Sequence, residues 1–214
     1  MTGLIPHELS LLAWMVLAAL GAVSVAALTV TLFKVIQFSR LGVGRAAAAR
    51  AVLDAWARGE RRQAAQTARR AEGVQLRVLA VLLDALEARP EDRGRAQGLA
   101  TQRALEELAR MSGSMRVLEA VVQAAPMLGL LGTVIGMIEA FGRIAATTGA
   151  ADPSLLASGI WTALITTAIG LAIAILFYFV SLWLDGRISR EREALESLIM
   201  TVMNTDHPPG GRGY

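Results

Sequence analysis

Charged residues vanish from three long stretches of the chain, residues 9–33 (25 residues), 120–138 (19 residues) and 153–184 (32 residues). A helix needs about 20 apolar residues to cross a hydrocarbon core of about 30 Å, whereas a buried soluble helix fits a run of roughly 10–14. The pattern therefore predicts three membrane spans, placed at residues 11–33, 118–140 and 154–184. No Lys or Arg precedes Lys34, and the first run exceeds the apolar core of roughly 7–15 residues found in a cleaved leader. It reads as a retained anchor.

Between the first and second runs the pattern becomes helical and mixed. Residues 45–58 and 61–71 are rich in Ala, Arg, Gln and Leu, all strong helix formers. Gly59 and Gly73 are stop signals. Residues 74–88 repeat apolar positions at Val74, Leu76, Val78, Leu79, Leu82, Leu83 and Leu86, enough for one buried helical face. Pro90 ends that helix. From Ala100 a further helical pattern runs toward the second span with no clear breaker before Pro126. After the third span, Ile188, Leu195, Leu198, Ile199 and Val202 continue as an amphipathic helix. A helix from residue 153 to 202 would be about 75 Å long, so membrane helices extending into a cytoplasmic helical bundle are expected. The expected class is all-α. Residues 34–117 form a cytoplasmic helical domain, 185–204 a cytoplasmic helix and 205–214 a disordered tail. No strand pattern or internal repeat appears.

Composition narrows the chemistry. The chain has 214 residues, 54% hydrophobic and 18% charged, with no cysteine and only His7 and His207. Disulfides, thiolate metal sites and cysteine nucleophiles are excluded, and two terminal histidines make a poor metal site. No nucleophile–base–orienter set can be assembled, so neither enzyme activity nor a cofactor or metal is expected. The sequence pI of about 10.1 hints at nucleic acid, but the arginines answer a different question. Residues 34–116 hold 16 Lys/Arg against 9 Asp/Glu, while residues 139–152 hold only Arg143. By the positive-inside rule, residues 1–10 are periplasmic, the large insert is cytoplasmic, the turn at 141–153 is periplasmic and the C-terminus is cytoplasmic. The arginines read as solvated helix faces and topology signals, with no nucleic-acid partner.

Two spans carry polar information. The second holds Gly129, Gly132 and Gly136 with Thr133 among them. Gly132 and Gly136 make a small-xxx-small pair that lets helices approach closely. Pro126 frees a carbonyl one turn earlier. The third holds Thr162, Thr166, Thr167 and Gly170. A threonine in a helix often satisfies itself on a carbonyl one turn back. A cluster of hydroxyls, which donate and accept at once, also suits a water-bearing or proton-bearing path. No Asp, Glu, His, Lys or Arg lies inside the three runs, although membrane proton relays use such groups. A titrating group would have to come from a partner. Glu139 reads as an interfacial carboxylate, and Arg116 and Glu119 have pairing distance in sequence.

The blocks APMLGLLGTVIGMIEAF (125–141) and GIWTALITTAIGLAIAI (159–175) resemble the MotA/TolQ/ExbB proton channel family, and most closely its ExbB/TolQ-like branch. The resemblance implies a homopentamer in the bacterial inner membrane, with the second and third spans lining a central pore. It implies a partner of the ExbD/TolR type, with one membrane helix and a critical Asp, and a TonB- or TolA-like client. Proton flow would then drive envelope transport or maintenance. Thr133 and Thr167 fall on the family's pore threonines; with Thr162 and Thr166 they form the expected pathway, and Gly129, Gly132, Gly136 and Gly170 the expected packing positions. The sequence departs from the pattern at Thr162, where the family usually has Glu, and at Leu176, where it usually has Pro. The alternative is a non-conducting membrane scaffold that recruits partners through its cytoplasmic bundle.

Overall fold

The computed structural model describes residues 11–40, 46–70, 72–146 and 153–205. Segment 1–10, the tail 206–214 (with His7 and His207 among them) and residues 147–152 of the predicted periplasmic turn lie outside the described residues. Seven helices follow one another: α1 (Leu11–Arg40), α2 (Ala46–Ala57), α3 (Arg61–Arg70), α4 (Val74–Ala88), α5 (Arg93–Ser112), α6 (Met115–Ala146) and α7 (Pro153–Thr205). Among the described residues there is no strand. Three helical stretches are long and apolar enough to cross a membrane; they include α1, α6 and α7. The helices form two compact units. One draws on residues 1–32 and 114–182, the other on 33–113 and 183–214.

One boundary differs from the sequence expectation. The helical pattern expected to run unbroken from Ala100 stops at Ser112 and restarts at Met115. Pro126 lies inside α6. Proline removes one hydrogen bond, the one to the carbonyl of Val122, and a helix packed against neighbours tolerates that loss.

In the first unit the buried positions of α6 are Leu118, Val121, Ala125, Gly129, Gly132, Gly136 and Ala140. They recur every three or four residues, so they form one face, and from Ala125 onward all are Gly or Ala. On α7 the matching face is Ala163, Thr166, Gly170, Ala174 and Phe177. Val16 and Leu20 of α1 pack with Ala125 and Ala174 in one apolar cluster, joined by Leu128, Ile135 and Ile173. The bulky side chains point the other way: Leu28, Leu130, Ile138, Leu164 and Phe179 are all exposed. Small residues inside and large apolar ones outside invert the soluble pattern. Lipid supplies no hydrophobic drive between helices, so close packing of small residues replaces it.

The second unit follows soluble rules. All seven apolar positions expected to face inward on α4 are buried. Helix α4 packs against α3 and α5, and α2 against α3 and α4. Gly59 (φ 82°) and Gly73 (φ 147°) take the left-handed backbone at the ends of α2 and before α4, conformations that side chains disfavour. Asp92 caps α5, accepting from the amide of Arg95 at 3.1 Å. From α7, Leu184, Ile188, Leu195, Leu198, Ile199 and Val202 are buried, and Arg93 donates to the carbonyl of Met203.

Glu107 of α5 is a buried carboxylate, its side chain 1% exposed. Arg77 of α4 grips it with two bonds of 3.0 and 2.9 Å, Arg103 lies at 2.8 Å and Arg110 at 3.9 Å. Burial pushes its pKa up. The hydrogen bond and charge of Arg77, then the charges of Arg103 and Arg110, outweigh that and hold it below the ordinary carboxylate value. A carboxylate with a depressed pKa in the folded state stabilises at neutral pH, and that contribution is lost as pH falls through its folded value. Stability of the wild-type chain is therefore expected to drop below about pH 4. Glu107→Gln is expected to be less stable by about 1–3 kcal/mol at pH 7 and to flatten the acid limb. Thermal unfolding as a function of pH checks both.

Candidate functional site

The threonines sit where α6 and α7 touch. The approach is close enough that an added methyl group has no room. A Cβ on Gly170 would lie 2.5 Å from the carbonyl oxygen of Ala125 and 3.1 Å from Cα of Gly129. A Cβ on Gly129 would lie 3.0 Å from the carbonyl oxygen of Thr166 and from Cα of Thr167. At Gly132 it would meet Oγ1 of Thr166 at 2.4 Å, and at Gly136 the Cβ of Ala163 at 2.9 Å. All four glycines singled out in the sequence thus lie in one seam. Gly159, which the sequence reading did not single out, belongs to it too: its Cβ would lie 2.5 Å from that of Ala140. Its signal is the spacing of small residues Gly159, Ala163, Gly170 and Ala174.

The four threonines divide by what their hydroxyls reach. Thr133 donates to the carbonyl of Leu130 at 2.7 Å, and Thr162 to that of Ser158 at 3.0 Å. Both are bonds to their own helix. Thr166 donates to Ala163 at 2.7 Å, with the Gly129 carbonyl at 3.4 Å, and is only 2% exposed. It fills the notch above Gly132. Thr167 alone leaves its helix fully, donating to the Gly129 carbonyl at 2.8 Å. Self-satisfaction thus accounts for Thr133 and Thr162, while Thr167 ties α7 to α6. The carbonyl that Pro126 releases is that of Val122; the hydroxyls that cross from α7, those of Thr167 and more distantly Thr166, reach Gly129 instead. An interhelical bond of this type contributes about 0.6 kcal/mol on average in a membrane. It fixes register more than it supplies stability.

No acid or base interrupts the runs that carry this contact. Hydroxyls and main-chain carbonyls are the polar groups around Gly129. Such a set can carry hydrogen bonds to water or to a partner's side chain, but it holds no group that titrates near neutral pH. Glu139, near the far end of α6, is half-buried and engaged in a polar interaction. The Arg116–Glu119 pair suggested by spacing does not form.

The model of the MotA/TolQ/ExbB proton channel family matches residues 70–197, more than half of the chain. The chain belongs to this family, in its ExbB/TolQ-like branch. A putative biopolymer transport protein ExbB homolog of Methanothermobacter thermautotrophicus is 40% identical over 98 residues, 46% of this chain and 34% of the relative. The biopolymer transport protein exbB1 of Vibrio cholerae is 39% identical over 94 residues, 42% of this chain and 41% of the relative. A putative ExbB-like 1 protein of Synechocystis is 46% identical over 72 residues, 33% of this chain and 28% of the relative. The chain thus spans less than half the length of the curated relatives it matches.

The seam makes a sharp prediction. Gly170→Ala places a methyl group against main chain that cannot yield, and is expected to destabilise the first unit by about 1–3 kcal/mol. Gly142→Ala, with nothing within 4 Å of the added Cβ, is expected to be as stable as wild type or up to about 1 kcal/mol more stable, because Ala favours the helix over Gly. Thermal denaturation of the two variants in detergent separates the cases.

Proposed function

We propose that this member of the MotA/TolQ/ExbB proton channel family is the stator-like subunit of an inner-membrane motor. It couples the proton gradient to envelope transport or maintenance through an ExbD/TolR-like partner. One observation carries the reading: Thr167 of α7 hydrogen-bonds the Gly129 carbonyl of α6 within the charge-free stretches 120–138 and 153–184 of those helices. A hydroxyl-bearing, acid-free seam at membrane depth suits a proton path whose titrating group is supplied from outside the chain.

In this reading the chain assembles as a homopentamer, with its N-terminus periplasmic and its C-terminus cytoplasmic. Thr133, Thr162 and Thr167 line the path. Thr166, enclosed between α6 and α7, keeps the two helices in register. The partner is a single-span protein carrying a membrane Asp, which takes up and releases the proton beside the threonines. A TonB- or TolA-like protein receives the resulting motion. Thr162, at the position where the family usually has Glu, offers a neutral hydrogen-bonding group and leaves the partner's carboxyl as the titrating site.

The test is proton flux into proteoliposomes that hold the chain together with its cognate single-span partner, read with a pH-sensitive dye. Thr133→Ala combined with Thr167→Ala is expected to lower flux at least about tenfold, the loss of about 1.4 kcal/mol from the barrier. Unchanged flux overturns the pathway. Full client activity after the proton gradient is collapsed would instead favour the scaffold reading, in which the helical second unit recruits partners without conduction.

A further inference from the structure

Within the second unit, the last turns of α2 and α4 meet the first turn of α3 around a cavity of about 390 Å³. Its wall is Trp56 of α2, Arg61 and Arg62 of α3, Leu86 and Glu87 of α4, and Pro90 just beyond α4. The turn between α2 and α3 builds one side of it. Gly59, with its left-handed backbone, lets the chain reverse, and the amides of Gly59 and Glu60 donate back to the carbonyls of Trp56 and Ala55, both at 3.0 Å. Arg61 therefore returns over Trp56, its guanidinium carbon 5.3 Å from the centre of the ring.

Three kinds of hydrogen-bond donor belong to this wall. Arg61 and Arg62 bring two guanidinium groups. The start of α3 brings main-chain amides: the first bond of the helix runs from Ala64 to the Glu60 carbonyl at 3.0 Å, so the amides of Arg61, Arg62 and Gln63 precede the ladder. Trp56 brings its indole N–H. That residue is only 4% exposed, and its Nε1 is buried with no hydrogen-bond partner. Buried donors ordinarily have one, so an unmatched N–H in the wall of a cavity asks for an acceptor. The nearby acids are engaged by arginines that lie outside the wall. Arg58 holds Glu60 with bonds of 3.0 and 3.2 Å, and Arg69 lies 3.6 Å from Glu87. Among the described residues Arg62 forms no ion pair.

We propose that this cavity is a binding site for a small phosphate monoester. A phosphoryl dianion offers three acceptor oxygens, enough to engage two guanidinium groups and the indole N–H together. The start of α3 adds the favourable end of a helix dipole and its unladdered amides. The volume falls in the range of sites for small organic ligands, so the phosphate is carried on an organic group that covers Leu86 and Pro90. Glu87 is the one wall residue that opposes a dianion. Once bound, the ligand ties the ends of α2, α3 and α4 together and stabilises the second unit. The site is independent of the proposed function, since none of its residues lies on α6 or α7.

Isothermal titration calorimetry of the full chain in detergent tests the site, with inorganic phosphate and phenyl phosphate as probes and sodium chloride holding the ionic strength constant. Both probes are expected to bind saturably, and phenyl phosphate more tightly because its ring covers apolar wall. Arg62→Ala is expected to weaken binding at least about tenfold. Trp56→Phe keeps a ring beneath Arg61, removes the N–H, and is expected to weaken binding about threefold. Glu87→Gln removes the opposing charge and is expected to tighten it about threefold. Arg70→Ala removes the same charge as Arg62→Ala from the far end of α3, and is expected to leave binding within about twofold of wild type. Three results overturn the inference: no saturable binding of either probe, equal weakening by Arg62→Ala and Arg70→Ala, as a diffuse positive field would give, or binding untouched by Trp56→Phe. Phosphate binding with no gain for phenyl phosphate marks an adventitious ion only and overturns it as well. If Trp56→Phe does not fold, the exposed Arg62 and Arg70 carry the test by themselves.

Discussion

Two helix backbones lie so close at Gly129, Gly132, Gly136 and Gly170 that a single methyl group at Gly132 or Gly170 would fall within 2.5 Å of its neighbour. That approach is the condition for everything else around the threonines. It lets the Thr167 hydroxyl reach a carbonyl on the adjacent helix, and it encloses Thr166 in the notch left by Gly132. It also decides where the large side chains go, because a seam made of Gly and Ala sends Leu130, Ile138 and Leu164 outward. In lipid, where apolar surface gains little from being covered by more apolar surface, shape has to hold helices together.

The second unit solves a different problem with different means. Its helices bury Leu79, Leu82 and Leu83 against water in the usual way, and at Glu107 they also bury a charge. A lone carboxylate there would be costly. Three arginines from two helices surround it and leave the cluster with an excess of positive charge. One chain thus contains a unit whose helix seam is charge-free, with hydroxyls and carbonyls as its polar groups, and a unit in which an ion network ties α4 to α5.

Much of this was legible in the residues. The three charge-free runs mark the apolar helices, because so few charges can be tolerated at membrane depth. The inward face of α4 follows from a repeat that only a helix can gather on one side. The four glycines were legible as packing positions, since small residues at spacings of three and four have few other uses in a span. The junction at Gly113–Ser114 was not: it holds no proline, and the helical pattern runs through it. Thr166 and Thr167 could not be told apart by composition. They are neighbours about 100° apart round the helix, and that rotation encloses one and sends the other across the seam.

Thr133, Thr162, Thr166 and Thr167 each commit their hydroxyl hydrogen to a main-chain carbonyl. What each hydroxyl has left is its oxygen lone pairs, and only the enclosed Thr166 is denied an outward use of them. The helical amides nearby are occupied as well. To whatever approaches them, these hydroxyls offer electron pairs, their own hydrogens being already committed to the main chain.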